Sequence, residues 1–195
     1  MNKNILIIGP SRSGKTTLSR KISKEYGYNV INLDDIICAF EKLPVCSISH
    51  DGNDIEVAKN FSKFLRQYLI ELSEGANFYN GIRYVIEGTH IDFNEIMSLL
   101  NQDKYKEKYI VIGLLYNDIN EEELYNNIKK YDNEDEWTYY LTSEDLRGSV
   151  RYFIKRNKYF NDKFLEYGIK TYDVSKNREE VLSLICNDLF KNIRI

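Results

Sequence analysis

The stretch ILIIGPSRSGKTTL, residues 5–18, decides how the chain is read. Ile5 to Ile8 form an unbroken apolar run, the pattern of a strand covered on both faces in a parallel sheet. Gly9 and Gly14 follow, with Lys15 and Thr16 directly behind. From Thr16 to about Tyr26, Leu18 and Ile22 recur at helical spacing. Gly27 then stands where a left-handed helix stop is cheapest. A buried strand, a glycine-bearing turn and a helix therefore meet at one point.

GPSRSGKT, residues 9–16, satisfies G-x-x-x-x-G-K-[ST] at each fixed position, in the strand-to-helix setting that gives the pattern a mechanism. The glycines let the backbone curl so that successive N–H groups converge, and the helix adds its positive end, which makes a concave anion site. Gly9, Ser11, Arg12, Ser13, Gly14, Lys15, Thr16 and Thr17 are the candidate nucleotide-binding residues. Lys15 reaches toward the β- and γ-phosphates, and the Thr16 hydroxyl is a ligand for the Mg²⁺ that bridges them.

The rest of the chain alternates. Strands are expected at Val30–Leu33 ending at Asp34, at RYVIEG over 83–88, at YIVIGLLY over 109–116 and at Ile169–Val174. Helices are expected over about 54–73, 93–100, 120–131, 143–166 and 178–191. Asn53 with Glu56 resembles a capping box, and Asn177 with Glu180 stands at the start of the closing helix. The stripe Leu146, Val150, Phe153, Asn157, Phe160 and Phe164 is apolar except for its asparagine. DNEDEWTYYLT, residues 132–142, reads as a mobile polar link. This alternation implies an α/β fold of three layers around a five-stranded parallel sheet whose first four strands are buried. Ligands gather at the carboxyl ends of such strands, where Gly9, Asp34, Glu87, Asn117 and Ser175 fall.

The chain has 195 residues, enough for one well-buried core, and a formal net charge of −3, which gives no broad basic surface for nucleic acid. Its amino-terminal apolar run is far shorter than a secretory or membrane-spanning segment needs, so a cytoplasmic protein without membrane contact is expected. Cys38, Cys46 and Cys186 lack metal or disulfide spacing and are expected to be reduced. His90 stands apart from the cysteines and from His50, and no metal cluster is expected.

With these residues in view the chain resembles the P-loop kinases of small molecules, the group that includes adenylate, shikimate, gluconate and uridine kinases. The resemblance implies ATP and Mg²⁺ as cofactors and transfer of a phosphoryl group to a small-molecule acceptor. It covers the whole chain in layout as one domain, residues 1–195, with an acceptor-binding insertion over about 36–83 and a helical lid over about 120–166. In similar kinases an aspartate at the tip of the second strand orients the acceptor hydroxyl or holds the metal through water. Asp34 is the first choice here and Asp35, also a metal candidate, the second, although the pair also suits the start of a helix. Glu87, in VIEGTH over 85–90, takes the position that organises the Mg²⁺ shell, beside Gly88. His90 lines the acceptor pocket in one reading and is structural in the other.

In similar enzymes lid arginines close on the phosphates. Arg147, Arg151 and Lys155 recur at four-residue steps, which suits lid cations and a solvated helix face equally. Arg12 is a further reachable cation, and Arg66 and Arg83 are candidate anion contacts. YDVSKNREEV, residues 172–181, lies where similar kinases meet the adenine ring, and it lacks the guanine-selecting NKxD pattern. Trp137, Tyr139 and Tyr140 suit either a stacking platform or lid packing. The contrasting function is a nucleotide-dependent switch without a small-molecule acceptor.

Overall fold

The computed structural model describes residues 2–43, 48, 54–134 and 136–191. Cys46, His50 and the expected cap Asn53 lie outside them. The sheet is organised around β1 (Asn4–Ile8), every residue of which is buried. Its side chains alternate between layers: Leu6 and Ile8 enter one apolar cluster, Ile5 and Ile7 the other.

β1 pairs in parallel with β3 (Tyr84–Gly88) on one side and with β4 (Tyr109–Leu115) on the other. β2 (Asn29–Asn32) lies outside β3, and β5 (Lys170–Asp173) outside β4, both also parallel. The resulting order, β2-β3-β1-β4-β5, sends all five carboxyl ends in one direction. Register then positions the site, because Ile7 stands opposite Glu87 and Ile8 opposite Gly88. The turn after β1 and the end of β3 are adjacent for that reason.

One face of the sheet is covered by α1 (Lys15–Tyr26) and α9 (Arg178–Phe190), whose Leu18, Ile22, Leu182 and Ile185 pack on Ile5, Ile7 and Leu114. The other is covered by α2 (Leu33–Glu41), α3 (Asp54–Glu74), α5 (Phe93–Leu100) and the second half of α8 (Ser143–Tyr167). α7 (Glu121–Tyr131) packs on the first half of α8 in a smaller cluster with Tyr116. Short helices α4 (Ala76–Tyr79) and α6 (Asp103–Lys106) complete the connections. Among the described residues no helix is long and apolar enough to cross a membrane.

The stripe on α8 is buried throughout, and its one asparagine has a reason. Asn157 Oδ1 accepts the Tyr116 N–H at 3.0 Å while its Nδ2 donates to the Tyr116 carbonyl at 3.1 Å. The amide thus completes the backbone just past β4, where an apolar side chain would leave both groups unpaired.

Several expectations change. β2 ends at Asn32 rather than Asp34, and it is an edge strand rather than a buried one, with Val30 40% exposed. The Asn32 side chain accepts the Asp34 N–H at 2.8 Å and so caps α2. A strong cap at this point starts the helix early and places Asp34 and Asp35 in its first turn, where the helix dipole favours negative charge. Residues 132–142 are not a bare link: Trp137–Tyr140 form a 3₁₀ turn, and Thr138 is buried with its hydroxyl on Asp132 at 2.7 Å. Asn177 stands at the N-cap of α9 as expected, but with a left-handed backbone at φ 49° and no cap hydrogen bond from its side chain.

Candidate active site

The turn from β1 to α1 has Arg12 at φ 66° and Gly14 at φ 88°. The left-handed region suits glycine and strains arginine. A Cβ at Gly14 would also meet the Arg178 guanidinium at 2.8 Å, so a side chain there would be strained by its backbone and would push Arg178 aside. Two hydrogen bonds pin the turn from the sheet. Thr89 Oγ1 donates to the Gly9 carbonyl at 3.2 Å, and the Tyr116 hydroxyl donates to the Ser11 carbonyl at 3.2 Å.

Lys15 is buried and its Nζ donates to the Pro10 carbonyl at 2.9 Å, folding the ammonium back over the turn. Burial lowers its pKa, while the Glu87 and Asp34 carboxylates pull it back up. Thr16 Oγ1 donates to Glu87 Oε1 at 2.9 Å. Glu87 is only 1% exposed; burial raises its pKa, opposed by Lys15 and the Thr16 hydroxyl. Ser13 Oγ is buried without a hydrogen-bond partner among the described residues.

Lys15, Thr16 and Glu87 line a cleft of about 710 Å³ at the carboxyl ends of the strands, together with Asn32, Asp34, Asp35, Thr89, Trp137 and Arg178. Asp34 and Asp35 enter from the first turn of α2. Gly88 answers to packing rather than to a turn, because a Cβ there would strike Leu33 of α2 at 2.8 Å. Bare backbone at the end of β3 is what lets α2 lie close enough to bring Asp34 toward Glu87.

Arg178 is the cation that motif reading missed, although it lies within the quoted 172–181 segment. It opens α9, is pushed down in pKa by its burial and by the nearby Arg12, and donates to Thr17 Oγ1 at 3.0 Å. Arg12 pairs with Asp132 at 2.5 Å and with Glu136, joining the turn to the segment that follows α7. A second, narrower cavity of about 100 Å³ adjoins the cleft between Tyr116, Ile128, Tyr131, Val174, Ser175 and Arg178.

Other candidates are placed elsewhere. Arg147 is exposed, pairs with Glu122 at 2.7 Å and covers the Tyr125 ring at 4.3 Å. Neither Arg147 nor Arg151 is among the residues lining the cleft. Arg66 is engaged by Glu95 and Ser98, and Arg83 is turned to the opposite end of the sheet, donating to the carbonyls of Phe78 and Ile82. Trp137 lines the cleft and packs edge-on against Phe153, whereas Tyr139 and Tyr140 are exposed and pack on each other. His90 sits behind Asp34, its Nδ1 3.4 Å from Asp34 Oδ1 and its Nε2 3.4 Å from Asp54 Oδ1.

The sequence profile of a family described as an AAA domain matches residues 5–130, which is more than half of the chain. The chain belongs to this family. Matched regions of curated relatives include 128 residues of the pentafunctional AROM polypeptide of Schizosaccharomyces pombe at 24% identity and 143 residues of the tRNA dimethylallyltransferase of Rickettsia typhi at 26%. These cover 55% and 66% of the chain but only 8% and 45% of the relatives. Among solved structures, the chain is similar to a shikimate kinase from Bacteroides thetaiotaomicron, with a TM-score of 0.56 at 16% identity over 97% of this chain and 98% of that one. It is also similar to a gluconokinase from Sinorhizobium meliloti, with a TM-score of 0.53 at 14% identity over 99% and 98% of the two chains. The fold of this AAA domain protein is that of the P-loop small-molecule kinases.

The residues present suit a divalent cation. Mg²⁺ takes few protein oxygens and fills its octahedron with water and phosphate. Thr16 Oγ1 and Glu87 Oε1 are two adjacent oxygen donors facing the cleft, the kind of hard ligands such an ion would take. Among the described residues no group of three or more His, Cys, Asp or Glu side chains is placed to hold a metal ion.

Proposed function

We propose that the protein is an ATP-dependent phosphotransferase that moves the γ-phosphoryl group of Mg-ATP to a hydroxyl of a small-molecule acceptor such as a nucleoside, nucleotide or sugar. One observation carries this reading: Lys15, Thr16 and Glu87 converge behind the curled turn, and Asp34 faces the same cleft. Residues 9–17 cradle the phosphates with backbone amides, and Lys15 gives the buried cation that offsets charge as the phosphoryl group moves. Thr16 and Glu87, with Asp35 nearby, would hold Mg²⁺, which when bound would supply further stabilisation of the phosphate charge. Asp34 orients the acceptor hydroxyl and takes its proton.

The nucleotide base fits the narrower cavity between Tyr131, Val174 and Arg178, and Arg178 adds a second cation beside the turn. The whole chain acts as one unit in this reading, with residues 36–83 forming the acceptor side and residues 120–166 the lid. Arg147 and Arg151 serve as phosphate contacts only if α8 rotates, because Arg147 now faces Glu122. The shikimate kinase and gluconokinase of similar fold support a hydroxyl acceptor here.

Transfer of label from γ-³²P ATP into a deproteinised metabolite extract tests the proposal, with the Lys15→Ala protein alongside. A labelled organic product from the wild type alone is expected. Label found only as inorganic phosphate would refute the kinase reading in favour of a nucleotide switch.

A further inference from the structure

We propose that His90 is a positioning residue: its imidazolium, clasped between Asp34 and Asp54, holds the Asp34 carboxylate at the mouth of the cleft and ties it to α8. The inference rests on the proposed role of Asp34 and extends it to residues outside the cleft.

The geometry sets the charge state. Nδ1 lies 3.4 Å from an oxygen of Asp34, and Nε2 lies 3.4 Å from an oxygen of Asp54. A neutral imidazole carries one donor and one acceptor nitrogen, so one ring lone pair would face a carboxylate. The two contacts are both ion pairs only when the ring is doubly protonated. The His90 side chain is 11% exposed, with Asp54 on its inner side and the more exposed Asp34 toward the cleft.

The clasp continues away from the cleft. Asp54, the first residue of α3, accepts a hydrogen bond from the Tyr152 hydroxyl and lies 3.5 Å from Arg156 Nε, both on α8. Arg156 is itself buried, stacked over Tyr159 at 4.8 Å and Phe160 at 5.1 Å. Charges therefore alternate, Asp34, His90, Asp54, Arg156, across α2, the loop after β3, α3 and α8. Burial alone would lower the His90 pKa, but its contacts with both carboxylates more than reverse this and leave it at about 9. Asp54 is held down at about 2, first by His90 and then, against its own burial, by Tyr152 and Arg156.

Such a chain does two things for a group that must receive a proton from the acceptor. It places a fixed cation beside the Asp34 carboxylate, and it makes the carboxylate's position depend on that of α8. A displacement of α8 would be felt at Asp34 through Asp54 and His90.

The test reads His90 and the reaction separately. The chain has two histidines, so ring ¹³C and ¹⁵N spectra recorded against pH resolve both, and His90→Gln identifies the resonance. His90 is expected to stay doubly protonated beyond pH 8, and Asp54→Asn to lower its titration midpoint by at least one unit. A midpoint near the ordinary 6.5, or one unmoved by Asp54→Asn, overturns the clasp. In parallel, phosphate release from Mg-ATP is measured with water as the acceptor. His90→Gln is expected to lower release at saturating ATP at least tenfold and to abolish its decline through pH 9, while nucleotide Kd stays within twofold. An unchanged rate and pH profile in that variant overturns the positioning role. If Asp34→Asn also leaves release unchanged, the role proposed for Asp34 falls and positioning with it, even where the spectra show the imidazolium intact.

Discussion

The phosphate turn and the α7–α8 arm both carry conspicuous cations, and the two regions use them differently. At the turn Lys15 is buried beside Glu87, and Arg178 is packed on Gly14. On the arm Arg147 lies in solvent against Glu122 and Tyr125. Arg12 belongs to the turn yet spends its charge on Asp132 and Glu136 beyond α7. The comparison teaches that a cation's place in the sequence near a site says little about its work. Burial and the absence of an exclusive carboxylate partner distinguish the ones available to a phosphate.

The largest effect that would sharpen this contrast lies at Glu87. Glu87→Gln is expected to cut turnover at least a hundredfold while leaving nucleotide affinity within a few-fold, the order of loss seen when one preorganised charge is removed. Turnover near wild type would move the metal role to Asp34 or Asp35. Next comes the joint between the regions: Asn157→Ala leaves the Tyr116 N–H and carbonyl without their partner, and should lower unfolding stability by about 2 kcal/mol in denaturant titration. A change too small to resolve would mean that water replaces the amide.

Smaller effects probe the link and the arm. Arg12→Gly relieves a left-handed arginine but releases two carboxylates, so hydrogen exchange over residues 132–140 should speed up several-fold with little change in melting temperature. Equal exchange would show that the 3₁₀ turn holds itself. Arg147→Ala is expected to shift nucleotide Kd by less than twofold, and a tenfold loss would show that α8 rotates to bring it into the cleft.

A pH series probes the clasp behind the cleft. His90 titrates near 9 in the fold against 6.5 as a free side chain, so its stabilising contribution is complete below pH 6.5 and is lost as pH rises through 9. Asp54 titrates near 2 against 3.8, so its contribution is complete above 3.8 and is lost as pH falls through 2. In the Asp54→Asn protein, loss of the alkaline contribution should begin at a lower pH, read from urea unfolding midpoints.

What was legible in the sequence was local. The run Ile5–Ile8, the phosphate turn, the helix stop at Gly27 and the bounds of α5 depend on neighbours a few residues away. The end of β2 is ambiguous in the sequence because Asn32, Leu33 and Asp34 suit a strand by apolar pattern and a helix start by capping, and the Asn32 cap wins. Arg178 was hidden by distance: its partner Thr17 lies 161 positions earlier, and no motif marks a lone arginine opening the last helix. The link from His90 to Asp54 and on to Tyr152 crosses the fold in the same way. Arg66 and Arg83 were candidates by charge alone, and only their carbonyl and carboxylate partners reveal that they brace α5 and the far end of the sheet.

The central claim is that the turn at residues 9–16 grips a polyphosphate next to Glu87. A crystal structure with magnesium and a non-hydrolysable ATP analogue tests it most directly. The β- and γ-phosphate oxygens are expected against the amides of this turn, with Lys15 withdrawn from Pro10 onto them and the metal beside Thr16 and Glu87. Phosphates bound elsewhere in the cleft, with Lys15 still on the Pro10 carbonyl, would contradict it.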